Sequence, residues 1–95
     1  MAASNTTSFT LTDADWTLIA DGATVASVAG QIDPDSMPAY IAIAQSKPAV
    51  SSNDYVVLDR DRTKEFSEDL NSTDKVYAKA PAYSKAVVRV VLASR

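Results

Sequence analysis

No stretch of this chain holds a helical period of apolar residues for long enough to make a helix, and that feature most constrains its fold. The apolar residues come instead in runs of strand length, each cut off by a turn signal. WTLIA and ATVASVA flank Asp21-Gly22, a strong two-residue hairpin signal. AYIAIAQ, residues 39–45, lies between Pro38 and Pro48, which leave its alanines no room for a helix. YVVLD, KVYAKA and the closing KAVVRVVLASR follow, separated by KPAVSSN, NSTD and PAYS. RTKEFSEDL reads either as a charged edge strand or as a single helical turn. The pattern predicts an all-β fold, a single small β-sandwich or barrel of about six to seven short, mainly antiparallel strands. Residues 11–95 form that domain, behind a flexible N-terminal arm over residues 1–10 that is rich in Ser, Thr and Asn.

The closing run raises a specific question. Alternation puts Ala86, Val88, Val90 and Leu92 on one side and Val87, Arg89, Val91 and Ala93 on the other. Both sides are largely apolar, so this run and AYIAIA are the candidates for central strands. One side lines the core; the other needs a cover, from the chain's own loops and arm or from a second molecule. A tight turn at Asp21-Gly22 would set Leu18 against Val25 and Ala20 against Ala23 on the core side, with Ile19 outward.

Composition removes several kinds of chemistry. Cysteine and histidine are both absent, which excludes thiolate catalysis, zinc-thiolate sites, serine triads and the commonest general base. Gly22 and Gly30 are the only glycines, too few for a phosphate-cradling loop. Nine Lys and Arg are scattered among twelve Asp and Glu, so no basic stripe offers a site for nucleic acid. No apolar stretch approaches the length of a membrane span, and MAASNTTSF lacks the basic start and apolar core of a secretory signal. No nucleic-acid or membrane partner is therefore expected, and no cofactor.

Aspartates recur two apart at 13 and 15, 33 and 35, and 59 and 61. Such pairs could chelate calcium or magnesium or support a hydrolase. None has the glycine and terminal glutamate of a calcium loop, so they are read as turn residues bonded to their own backbone. The alternating charges of DRDRTKE suit an edge that resists wrong pairing, which leaves no catalytic carboxylate pair and no metal site. Asn5-Thr6-Thr7 and Asn71-Ser72-Thr73 fit the glycosylation pattern but are read as polar loops. Trp16 shares a face with Leu18 and is expected to anchor the core. Tyr77 is expected to be the most exposed tyrosine, on one face with Lys79, and Tyr83 to cap the sandwich from a loop.

The order of WTLIADG, YIAIAQSKPA, a variable acidic stretch, DKVYAKA and a Val-rich terminal strand resembles a group of small tailed-bacteriophage virion proteins. The likeness covers roughly residues 14–92, although this chain carries Ser, Asn and Asp where members have loop glycines. The resemblance implies a non-enzymatic structural role in the virion, after synthesis in the host cytoplasm. A decoration or cement protein on the head shell is the leading form, with a neck, tail or fibre-base component as alternative. Implied partners are the major capsid protein or another virion protein, together with further copies of the chain as a homo-oligomer. Val87, Arg89, Val91, Tyr77 and Lys79 are the candidate protein-interaction surface. A carbohydrate- or receptor-binding β-sandwich module is a second class, which clustered exposed tyrosines would favour.

Overall fold

Alternation and turn signals do divide the chain into strands, and in the computed structural model the described residues form eight of them. The structure describes residues 3–33, 36–61 and 63–95. In chain order the strands are β1 (Ser4–Thr12), β2 (Thr17–Asp21), β3 (Val25–Ile32), β4 (Ala39–Ala44), β5 (Val56–Leu58), β6 (Glu65–Asp69), β7 (Lys75–Lys79) and β8 (Lys85–Ser94). All pairings are antiparallel, in two four-stranded sheets ordered β1-β8-β3-β6 and β2-β7-β4-β5. The sheets pack face to face as a β-sandwich.

The inner faces divide the core unequally. The first sheet supplies the bulk, with Leu11, Val28, Ile32, Val88 and Val90 all buried. The second meets it with smaller residues, Ala20, Ala39 and Ala78, around Ile19, Ile41, Leu58 and Val76. Branched side chains from one layer fill the space that alanines leave in the other. As expected, β8 and β4 are central strands; of the two readings open for RTKEFSEDL, the charged edge strand holds, as β6.

Two expectations are corrected. Residues 4–10, read as part of a flexible arm, belong to β1, which pairs with β8 over nine residues without a break in register. The polar composition hid a strand because an edge strand needs only one paired side, and here only Leu11 is fully buried. Asn5-Thr6-Thr7 accordingly lies in a strand and not in a loop.

Asp21-Gly22 does not close a hairpin either: β2 and β3 belong to different sheets, and the turn carries the chain from one layer to the other. A bulge between Leu18 and Ala20 turns both Ile19 and Ala20 inward, at 2% and 4% exposure, and leaves Leu18 outward at 43%. The glycine is needed for proximity, since its φ is not positive. Its N–H donates to the Asp74 carbonyl at 2.7 Å, and a Cβ there would sit 2.0 Å from the Asn71 carbonyl oxygen. Arg95 closes the same corner, its Nε donating to the Gly22 carbonyl at 2.8 Å and its Nη2 to both the Val25 and Leu70 carbonyls.

Gly22→Ala must therefore move backbone, and we expect it to cost about 2–3 kcal/mol in urea unfolding. At Gly30 an added Cβ meets only the side chains of Phe66 and Val90, which can shift, so Gly30→Ala should cost about 1 kcal/mol. Equal losses at the two positions would refute this account of the corner.

Candidate interaction surfaces

The two outward faces of the sandwich differ in kind. On the second sheet, alternation does point Tyr77 and Lys79 outward, but that face is covered. Trp16, Ala42 and Tyr77 form a second apolar cluster there, with Tyr40 and Tyr55 packed against it. Trp16 is thus an anchor, as expected, but of this outer cluster and not of the core between the sheets. Tyr77, expected to be exposed, is only 6% exposed. Alternation identifies a face; it carries no information about which loop lies over it.

The covering segment, between β4 and β5, is tied down at several points. Trp16 Nε1 donates to the Ala49 carbonyl at 2.9 Å, and Lys79 Nζ to the Val50 carbonyl at 2.7 Å. The same ammonium stands 5.3 Å from the Trp16 ring centroid, within cation–π range. Tyr40 and Tyr55 stack with centroids 4.1 Å apart, and Tyr55 leans on Trp16 at 6.1 Å. Burial, followed by the hydroxyl contact with Tyr55, raises the Tyr40 phenol above its ordinary value. Lys47 Nζ lies 2.6 Å from Asp15 Oδ2, while Asp15 Oδ1 accepts the Trp16 N–H at 2.8 Å.

The outward face of the first sheet has no such cover among the described residues. Val87, Arg89 and Val91 lie along its middle on β8, beside Thr10, Ser8 and Thr6 of β1. Gln31 and Ala29 of β3 flank Arg89 and Val91 on the other side. Apart from Arg89 and Gln31 these side chains are short, and the surface between β1 and β6 dips into a shallow concavity of about 700 Å³. Val91 is 44% exposed. Val87 is half-buried, its N–H donating to Ser36 Oγ at 2.8 Å and its carbonyl accepting the Asp33 N–H at 3.0 Å. Arg89 is ion-paired with Asp33. The five candidate surface residues thus fall on opposite sides of the molecule: Val87, Arg89 and Val91 on the open face, Tyr77 and Lys79 under the other.

Of the remaining polar candidates, Asp59 Oδ1 accepts the Asp61 N–H at 2.9 Å, the turn role expected of it, whereas Asp13 Oδ2 accepts the N–H of the distant Tyr83 at 2.8 Å and so ties two loops together. Asp35 lies outside the described residues. Among the described residues, no three acidic side chains converge on a point where a cation could sit. Tyr83, expected to cap the sandwich, is instead fully exposed at the β7–β8 turn, with φ at 63°. The aspartate that holds its N–H stabilises a left-handed backbone that a tyrosine rarely adopts. Sequence reading missed this tip, for which an isolated Tyr in a turn gives no signal.

Compared with known protein families, with curated proteins and with solved structures, the chain gives no match in any of the three.

The Lys47 contact and the Trp16 N–H hold the Asp15 carboxyl below its ordinary value. A depressed folded-state pKa stabilises the fold above the unfolded value, and that stabilisation is lost as pH falls through the folded one. Carbon-detected NMR titration should therefore find Asp15 ionising below the usual value of about 3.9, and Lys47→Ala should raise its midpoint. An unchanged midpoint in Lys47→Ala would show that the ion pair does not hold the loop in solution.

Proposed function

We propose that this chain is a non-enzymatic structural protein of a tailed-bacteriophage virion, most specifically a decoration or cement protein that binds the head shell. The observation that carries the reading is the outer face of β8, over which no loop folds among the described residues. A central strand that turns Val87 and Val91 outward on a shallow, open surface is suited to lie against another protein through area and shape. The serial likeness of WTLIADG, YIAIAQSKPA and DKVYAKA to small virion proteins supports the same class. A neck, tail or fibre-base position uses the same chemistry and differs in how many copies the particle holds.

The carbohydrate-binding alternative gains little support from the tyrosines. Tyr77 is buried, Tyr40 and Tyr55 are stacked on each other, and Tyr83 projects by itself. A sugar platform needs aromatic faces free and side by side.

Quantitative mass spectrometry of purified particles tests the class. A copy number equal to that of the shell protein, or a simple fraction of it, is expected for decoration. A handful of copies would move the chain to the neck or tail, and its absence would overturn the virion reading.

The face itself is tested by replacing Val87 and Val91 with Ser together. Val91 is exposed and Val87 only half-buried, so the loss of stability should stay near 1 kcal/mol. Binding to undecorated particles should fall at least tenfold, since the variant makes the centre of the contact polar. A folded variant that binds as well as the parent would exclude this face.

A further inference from the structure

The sandwich has four sheet edges, and three of them are protected from pairing with another chain. β6 carries Glu65, Glu68 and Asp69 within five residues. β5 is only three residues long, and β2 is broken by its bulge. These are the devices by which edge strands avoid intermolecular pairing. β1 has none of them. Its nine residues, SNTTSFTLT, contain no charge, no proline and no bulge.

The register fixes which groups of β1 remain open. The Ser94 N–H donates to the Ala3 carbonyl, which makes Ala3 and Ser94 a hydrogen-bonded pair. In an antiparallel ladder such pairs alternate, so Asn5, Thr7, Phe9 and Leu11 bond to β8. The N–H and C=O groups of Ser4, Thr6, Ser8 and Thr10 then point away from the sheet. At the next position, the Thr12 carbonyl is already taken by the Ala80 N–H. The open segment is thus Ser4 to Thr10, with Thr7 at its centre.

We propose that β1 pairs with β1 of a second copy of this chain, antiparallel and about a twofold axis through Thr7. Ser4 then faces Thr10 of the other copy and Thr6 faces its Ser8. Four hydrogen-bonded pairs at two bonds each give about eight new bonds from groups that have no partner among the described residues. The occupant follows from charge. An uncharged strand meets its own copy without repulsion, whereas two copies of β6 would set acid against acid. The pairing joins the two first sheets into one of eight strands, in the order β6-β3-β8-β1-β1-β8-β3-β6. The contact is weak, because two seven-residue segments bury less than the roughly 1,200 Å² at the lower end of standard interfaces. This inference does not rest on the proposed virion role.

The test uses the full chain, by sedimentation over a dilution series with amide exchange read by NMR. A concentration-dependent dimer is expected. The amides of Ser4, Thr6, Ser8 and Thr10 should gain protection as concentration rises, while those of Asn5, Thr7 and Phe9 are protected throughout. Thr6→Glu with Ser8→Glu sets like charges opposite each other at both crossings and should weaken the dimer about tenfold. Thr6→Lys with Ser8→Glu sets opposite charges there and should restore it; in both variants the new Ser8→Glu carboxylate sits beside Arg89, which protects the fold of the single chain. A single-chain mass up to about 1 mM would overturn the proposal. So would a dimer whose even-numbered β1 amides stay unprotected, as in an exchange of β1 between copies, or two charge variants that dimerise alike.

Discussion

The first sheet depends on β8. It is bonded on one side to β1 over nine residues and on the other to β3 over seven, and it buries Ala86, Val88 and Val90 against the second sheet. Without it β1 has no partner, and β3 keeps only the short β6. The dependence spans the whole chain, since Ser4 meets Ala93 and Thr12 meets Lys85. Such pairing must close nearly the full length as a loop before its contacts form, so the fold belongs among the slow, high-contact-order β topologies. The corner that Gly22 and Arg95 build is where the two layers are joined. There the β2–β3 connection, the end of β8 and the turn after β6 meet through backbone carbonyls.

Strand positions were legible in the sequence because alternation and turn residues are local signals. β4, β5, β7 and β8 lie where AYIAIAQ, YVVLD, KVYAKA and the Val-rich run placed them, and central positions for β4 and β8 followed from their two-sided apolar character. Pairing was not legible. Asp21-Gly22 has the residues of a hairpin turn, yet tertiary packing uses them to change layers, because Gly22 is required for contact with the Asn71–Asp74 turn. β1 was hidden for a related reason: its polar residues answer to one neighbour strand and to solvent, which is also how a flexible arm reads. Of the candidate surface, Val87, Arg89 and Val91 could be placed on an outward face from alternation alone. That Tyr77 would be covered depended on a loop distant in the chain, through Trp16 and Ala49, which no local pattern encodes.

The two outward faces show how one sandwich separates stability from availability. On the second sheet the β4–β5 segment and four aromatic residues build an additional small core, fixed by Lys47, Lys79 and the indole N–H. Covering that side gives a thin domain more buried area than its alanine-rich inner faces provide. The first sheet's outer side has no such cover among the described residues, and apart from Arg89 and Gln31 the middle of that side carries Val, Thr, Ser and Ala, with little flexible bulk to immobilise on contact.

Size then limits what the bare face can do by itself. Four strands about 4.8 Å apart and seven residues long at about 3.4 Å each give a patch of roughly 450 Å². Each partner in a standard interface contributes about 800 Å², so one copy offers less than a stable attachment normally uses. Edge pairing through β1 would set two such faces side by side in one continuous sheet and double the patch without enlarging the chain. Against a surface that repeats, the second face would bind at the effective concentration set by the first, which strengthens attachment with no new type of contact. Under the proposed virion role, a small face next to one open edge would suit a repeating lattice better than a single soluble partner.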